Sequence, residues 1–329
     1  MPDRFAQLLF SPSGVTVTPL AGDASGRRYA RWRHPAFGSM IHMDARNDRP
    51  DGVADFIKID IHLRSLGLSA PVILAQSEEE LLLEDLGDEL FANILLQKPK
   101  METDLYIGAA NLLLEIQTAP TPKNLPTLDP ATMARAIAPA FDAYLLGATG
   151  KENPSAQSAI SLELERVLVR SNSKEPKLLL RDFHAENLLW LPDRFGVARV
   201  GVLDFQDAHV GHSCYDLASL LEDARRDVSE TTRKFVLDHF LDHSKLDPDI
   251  FLEGFCAQAA QRNLRILGVL AHLSLNKGKR RYLEFLPRVW GHLMRDLEHP
   301  NLTNLKAILM DTLPPPSPEV LCRLEGPDA

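Results

Sequence analysis

Two segments, LLLRDFHAENLLW (178–190) and VGVLDFQDAHVG (200–211), place oxygen-bearing side chains beside short apolar runs. In the first, Asp182 and Asn187 stand five residues apart; in the second, Asp204 ends the apolar run. Loops held by strands can aim such groups. Phosphoryl transfer needs one carboxylate to take the proton of an attacking hydroxyl, and oxygen ligands to hold Mg²⁺ on the phosphates. Asp182 as base, with Asn187 and Asp204 as ligands, supplies that set. A single Asp after a strand is more often a turn former or a helix cap. Three such residues in this order, each next to a strand, favour chemistry.

A rival constellation uses Asp204, Asp207, His209 and His212, the residue types of a hydrolytic metal centre. Hydrolytic histidines usually recur at i, i+4 on a helix, whereas these two flank Gly211 in an expected loop. The hydrolase is therefore the weaker reading. His184, between Phe183 and Ala185, is expected to brace its loop rather than to react. Asp216 is expected to cap the helix beginning at Leu217 or to bind loop amides.

The elements around these residues fall into two kinds. From Val15 to Glu84 the runs VTVTPL, YARW, SMIHM, PVILA and ELLLE read as strands of an antiparallel sheet, with GDASGRR as a turn. One helix interrupts them, because Val53, Phe56, Ile57, Ile61 and Leu66 recur at helical spacing before Gly67 and Pro71. Past the connector DLGD the patterns turn helical, as in LYIGAANLLLEIQ and SLELERVLV, so a boundary is expected near residue 86. A β island carries the two chemical segments. Helices then run from Asp216 to about Leu313, and PPPSP reads as a Pro-rich tail.

Bulk properties narrow the class. A chain of 329 residues exceeds one ordinary domain, and 45% apolar with 25% charged residues is globular. A net charge of −9 disfavours nucleic-acid phosphates and anionic membranes as partners. Three scattered cysteines form neither a disulfide framework nor a CxxC site, and neither a leader pattern nor a long apolar span is evident. The expectation is a cytoplasmic protein that binds neither nucleic acid nor a membrane, with no obligate protein partner.

The spacing D-x-x-x-x-N followed by a strand ending in D-F resembles the catalytic and metal loops of kinases. In the form RDFHAEN, with His two residues after the base, it resembles the aminoglycoside phosphotransferase and choline kinase family. That resemblance implies an α+β, bilobal, protein-kinase-like fold with a small antiparallel-sheet N-lobe and a mostly helical C-lobe. It further implies residues 1–86 as the nucleotide-binding lobe, 87–329 as the catalytic and substrate-binding lobe, and ATP with Mg²⁺ as cofactors. GDASGRRY resembles the phosphate-covering loop and LLLEDLGD the hinge that receives adenine, so Gly22, Ser25, Gly26, Arg28, Glu84 and Leu86 are the implied ATP contacts. YDLASLLEDARRD resembles the segment whose Asp, here Asp216, braces the catalytic loop. Within the family, GDASGRRY, LLLEDLGD, LLRDFHAENLLWLP, LDFQDA and SLLEDARRDV together are similar to bacterial kinases of the anomeric hydroxyl of N-acetylmuramate and N-acetylglucosamine. An amino sugar is then the expected acceptor, ahead of an aminoglycoside, choline or homoserine.

The chain departs from the pattern in three places. A kinase usually carries a lysine on its third strand, where SMIHMDAR offers Met43. Arg27, Arg28, Arg31 and Arg46 are nearby, and Arg28 is taken as the substitute grip on phosphate. The missing lysine also raises a nucleotide-binding regulatory protein without turnover as an alternative, against which the intact base and metal set argues. Leu180 stands in the region commonly holding His or Arg ahead of the base, and Gln206 replaces the Gly of D-F-G. On the acceptor side, Asp207, Glu222 and Arg262 are expected to face the ligand. The run holding Glu222 and Asp223 reads equally as a solvated helix face, whereas Arg262 sits with Gln258 and Gln261 in an otherwise apolar helix where polar groups need partners.

Overall fold

The computed structural model describes residues 2–20, 26–172, 175–244 and 246–326. Packing divides the chain into two compact units, residues 1–123 with 185–208, and residues 124–184 with 209–329. This grouping puts residues 87–123 and 185–208 with the sheet, whereas the composition changes near residue 86.

Unit 1 begins with α1 (Pro2–Phe10), followed by β1 (Thr16–Pro19), β2 (Arg28–His34), β3 (Gly38–Asp44), α2 (Gly52–Ser65), β4 (Ile73–Gln76) and β5 (Glu80–Glu84). The five strands form one antiparallel sheet in the order β1-β2-β3-β5-β4, as their alternation predicted. Side chains alternate across the sheet. Trp32, Met40, Ala75 and Leu82 point to one face, where they cluster with Leu8 and Leu9 of α1. On the other face Arg31 stands opposite Ile41 and Ile41 opposite Leu83, while Tyr29 stands opposite Met43 and Met43 opposite Leu81. Helices α3 (Phe91–Gln97) and α4 (Glu102–Thr118) complete this stretch. Helix α1 is an addition to the sequence reading, since nine residues with no cap residue resolved by pattern gave no start signal.

Unit 2 continues with α5 (Pro130–Arg135), a π-helical stretch (Ala140–Leu145), α6 (Leu146–Thr149), α7 (Pro154–Arg170) and β6 (Lys177–Leu179). The chain then returns to unit 1 for the hairpin β7 (Leu188–Trp190) and β8 (Val200–Val202), and re-enters unit 2 at β9 (His209–Gly211), α8 (Tyr215–Leu221), α9 (Glu230–Ser244) and α10 (Pro248–Lys277). It ends with α11 (Leu286–Asp296), α12 (Thr303–Thr312) and α13 (Pro318–Leu324). The expected β island is thus two separate ladders, β6 with β9 and β7 with β8.

Local chemistry sets the ends of the long helices. Asn153 and Asp247 cap α7 and α10 by accepting backbone N–H groups, each with Pro at the first helical position, and Gly278 ends α10 at φ +64°. The PPPSP stretch does not lead into a free tail. Ser317 caps α13, whose Val320 and Leu324 join the unit 2 core with Leu264, Leu267 and Leu309. Among the described residues no helix is long and apolar enough to cross a membrane.

Candidate active site

Unit 1 contains a cavity of about 380 Å³ lined by Leu20, Tyr29, Arg31 and Ile41 of the sheet, by Glu84 to Asp88 after β5, and by Asn187, Leu203 and Asp204. The apolar wall comes from the alternating face that α1 leaves uncovered. The segment after β5 is built to keep its shape. Gly87 takes φ +89°, a conformation costly for residues with a Cβ, and its N–H donates to Asp85 Oδ1 at 3.0 Å. Arg31 pairs with Asp85 at 2.7 Å and Asp88 at 2.8 Å, and Glu84 pairs with Arg194 at 2.6 Å. The Leu86 N–H makes no hydrogen bond among the described residues, which leaves a donor at the cavity wall. Glu84 and Leu86, read from the sequence as nucleotide contacts, both line this cavity.

Asn187 and Asp204 also lie on it together. The hairpin explains why, because Leu203 N–H donates to the Asn187 carbonyl at 2.9 Å at the open end of the β7–β8 ladder. Asp204 sits at φ +57°, a left-handed backbone that is unfavourable for a non-glycine residue by roughly 1–2 kcal/mol. Neighbours hold it there. Gln206 Nε2 donates to Asp204 Oδ1 at 2.6 Å, Phe205 rests 4.8 Å from the Phe56 ring of α2, and Arg49 Nη2 donates to the Gln206 carbonyl at 3.3 Å. Arg49 also pairs with Asp55 at 2.8 Å and Asp207 at 3.1 Å. Two oxygen side chains on one cavity wall suit Mg²⁺, which is held by one or two protein ligands and completes its shell with phosphate and water oxygens.

Asp182 belongs to unit 2, on the turn after β6. The turn is tight: Asp182 N–H donates to the Leu180 carbonyl at 2.9 Å, and Arg181 adopts φ +70°. Asp216 stabilises it by accepting the Leu180 N–H at 2.6 Å and the Arg181 N–H at 2.9 Å, while Ser219 donates to the Arg181 carbonyl at 3.2 Å. Asp216 therefore binds loop amides; the residue at the cap position of α8 is Cys214. Burial pushes the Asp216 carboxyl up to about 6 despite the two amide bonds, and the nearby Asp182 charge adds to the rise.

His184 is buried and burial pushes it down to about 4, so it is neutral at pH 7 and its Nε2 takes an N–H from Arg225 at 3.4 Å. Its surroundings in unit 2 include the charges of Asp223, Asp182 and Arg262.

The acceptor-side expectations need correcting in part. Glu222 is 1% exposed, and its carboxylate is committed to Arg233 at 3.3 Å, Arg295 at 3.2 Å and Asn263 at 2.7 Å. It ties α8, α9, α10 and α11 together and is no solvated helix face. Arg262 is buried as well, and its Nη1 donates to the Glu222 carbonyl at 3.2 Å, a favourable cation at the C-terminal end of α8. Asp207 belongs to unit 1, where it pairs with Arg49, and Glu222 and Arg262 belong to unit 2. Gly22 and Ser25 lie outside the described residues. Gly26 is packed so closely that a Cβ there would come 1.9 Å from the Asn47 carbonyl oxygen, which only glycine permits. Arg28 is exposed, and alternation along β2 sets it on the face of Ala30 and Trp32, opposite the cavity.

The rival metal centre finds no support in the geometry. His212 Nε2 lies 2.9 Å from the Ser171 carbonyl and its Nδ1 accepts the Cys214 N–H at 3.1 Å, so both ring nitrogens are occupied. Among the described residues no three His, Cys, Asp or Glu side chains form a metal-holding group.

Comparisons with known proteins bear on the family and the fold. Residues 16–249 match the model of the phosphotransferase enzyme family. Over 310 residues, 90% of this chain and 82% of the relative, the chain is 40% identical to the N-acetylmuramate/N-acetylglucosamine kinase of Caulobacter vibrioides. It is 31% identical over 304 residues to the protein of the same name from Pseudomonas aeruginosa, covering 89% of this chain and 87% of that one. Among solved structures, a choline/ethanolamine kinase family protein from Mesorhizobium loti superposes with a TM-score of 0.59 at 11% identity over 99% of each chain. An aminoglycoside-3'-phosphotransferase of type VIII gives 0.53 at 14% identity over 79% of this chain and 98% of that one. At such identities these structures speak for the fold alone, which is the α+β, protein-kinase-like fold that the motif order implied.

Proposed function

Because the chain belongs to the phosphotransferase enzyme family, we propose that it is an ATP-dependent sugar kinase that moves the γ-phosphate to the anomeric hydroxyl of N-acetylmuramate or N-acetylglucosamine. The observation that carries the chemistry is a single cavity that joins Glu84 and Leu86 to Asn187 and Asp204. The choice of acceptor follows the names of the relatives, which the chain matches along most of its length.

Each residue has a stated task. The backbone at Glu84 to Leu86 receives adenine between Ile41, Leu83 and Leu189. Asn187 and Asp204 would hold Mg²⁺, which when bound would offset the negative charge gathered on the transferring phosphoryl group. Asp182 orients the acceptor hydroxyl and takes its proton as the oxygen attacks phosphorus. The new O–P bond forms in line with the breaking bond to the β-phosphate, and ADP departs with that electron pair. Asp216 and Ser219 fix the Asp182 turn. His184, neutral and buried, positions the same loop through Arg225.

The test is transfer of labelled γ-phosphate from ATP, compared across N-acetylmuramate, N-acetylglucosamine, choline, homoserine and kanamycin. Labelled amino-sugar 1-phosphate is the expected product. Transfer to kanamycin alone would move the acceptor assignment, and ATP binding without transfer to any of the five would favour the regulatory alternative.

A further inference from the structure

A nucleotide in the unit 1 cavity brings a chain of phosphates, and metal alone does not neutralise them; kinases add a fixed cation, usually on the third strand. Here β3 reads GSMIHMD and holds no cation in its sequence other than a histidine. The position facing the cavity side is Met43, fully buried between Tyr29 and Leu81. The cation must come from elsewhere.

Four arginines lie at or next to β2: Arg27, Arg28, Arg31 and Arg33. Arg28 alternates onto the face away from the cavity. Arg31 is taken up by Asp85 and Asp88 at the end where the chain leaves β5. Arg27 lies four residues from Arg31, which is about 13 Å of extended chain. That places it two residues beyond Tyr29, the last β2 side chain lining the cavity at that end. Tyr29 lines the cavity together with Asp204, and its phenol senses both the Arg27 and the Asp204 charges.

The Arg27 side chain is 3% exposed and its Nε donates to Asp48 Oδ2 at 2.7 Å. Its Nη1 is buried and makes no hydrogen bond among the described residues. A desolvated guanidinium donor left unused is unfavourable, and a phosphate oxygen is the acceptor that suits it best. The pair is also pressed on the start of α2, since a Cβ at Gly52 would lie 2.2 Å from Asp48 Oδ2 and 3.3 Å from Arg27 Nη2. A cation at the edge of a strand, paired to an acid beside the first turn of α2, is arranged as a lysine–glutamate pair between the third strand and a helix would be.

We propose that Arg27, held by Asp48, is the residue that grips the nucleotide phosphates in place of a third-strand lysine. This inference rests on the kinase reading and assigns the phosphate end of its nucleotide site.

The test is calorimetric binding of adenosine and of Mg-ADP to the wild type and to Arg27→Met, Arg27→Lys and Arg28→Met. Arg27→Met should lose about tenfold or more in ADP affinity while adenosine affinity stays within about twofold, because only ADP offers the charge-assisted contact. Arg27→Lys, which keeps the charge and lacks the fork, should fall between the two. The inference is overturned if Arg27→Met binds ADP as the wild type does, if it loses adenosine and ADP in equal proportion, or if the loss appears in Arg28→Met instead. Because the readout is binding, a wrong acceptor sugar would leave Arg27 in place, whereas a wild type that binds no ADP would overturn both readings.

Discussion

Gln206 donates its side-chain amide to Oδ1 of Asp204 at 2.6 Å, two residues away along the chain. In kinases with glycine at this position no side chain can do so. The contact orients a carboxylate that the backbone already holds at φ +57°, and Arg49 ties the same loop to Asp55 on α2.

Gln206→Leu removes that donor at similar volume. The Mg²⁺ concentration for half-maximal ADP production should rise about three- to tenfold, in keeping with the loss of a hydrogen bond to a charged group. Thermal stability should change little. An unchanged Mg²⁺ requirement would mean that the amide does not orient Asp204.

Asp216→Ala leaves the N–H groups of Leu180 and Arg181 without their acceptor, and removes what holds Arg181 at φ +70°. Turnover should fall roughly a hundredfold, because a displaced base loses most of its positional advantage. The affinity for ATP should move far less, since the cavity proposed for the nucleotide is lined by unit 1 residues. Steady-state kinetics with calorimetric ATP binding separates the two effects.

Asp60 on α2 is fully buried, its carboxyl makes no hydrogen bond among the described residues, and it approaches Arg64 only to 3.9 Å. Burial is the main cause that raises its carboxyl to about 7, and the Glu84 charge adds to it. The folded state thus holds a proton that the unfolded chain releases near pH 4, so the protonated group favours folding at low pH and that advantage is lost as pH rises through about 7. The melting temperature should fall between pH 6 and pH 8. In Asp60→Leu this part of the slope should vanish, with a higher melting temperature at pH 8. A slope identical in both proteins would place the titration elsewhere.

Gly268 in α10 meets the chain just before the π-helical stretch so closely that a Cβ would sit 2.1 Å from Ala140 N and from the Pro139 carbonyl carbon. Both neighbours are backbone and cannot rotate away. Gly268→Ala should therefore destabilise the protein by about 2–4 kcal/mol despite the better helix propensity of alanine. Chemical denaturation would measure it, and a neutral result would show that the two segments can separate.

The sheet was legible because its five strands alternate over one covered and one open face. The pair Asn187 and Asp204 was legible from spacing, since a short hairpin joins them. The partition of the β island was not: β9 is three residues long, and which strand it joins depends on a ladder with β6 that no local pattern encodes. Glu222 misled for a similar reason. EDARRD has the composition of an exposed helix end, and its burial comes from Arg233, Asn263 and Arg295, which lie 11 to 73 residues further along the chain. Which of the adjacent Arg27 and Arg28 faces the cavity side depends on the register of β2, which no local pattern encodes.

On the proposed mechanism Asp182 removes the proton from the sugar hydroxyl and does not hold MgATP. Phosphate transfer from ATP to N-acetylmuramate by Asp182→Asn, alongside ATP binding to the same protein, tests it most directly. The expected outcome is loss of transfer by about a thousandfold or more with ATP affinity within a few-fold of wild type, the range for removal of a base and its positioning together. Undiminished transfer by Asp182→Asn would contradict the account.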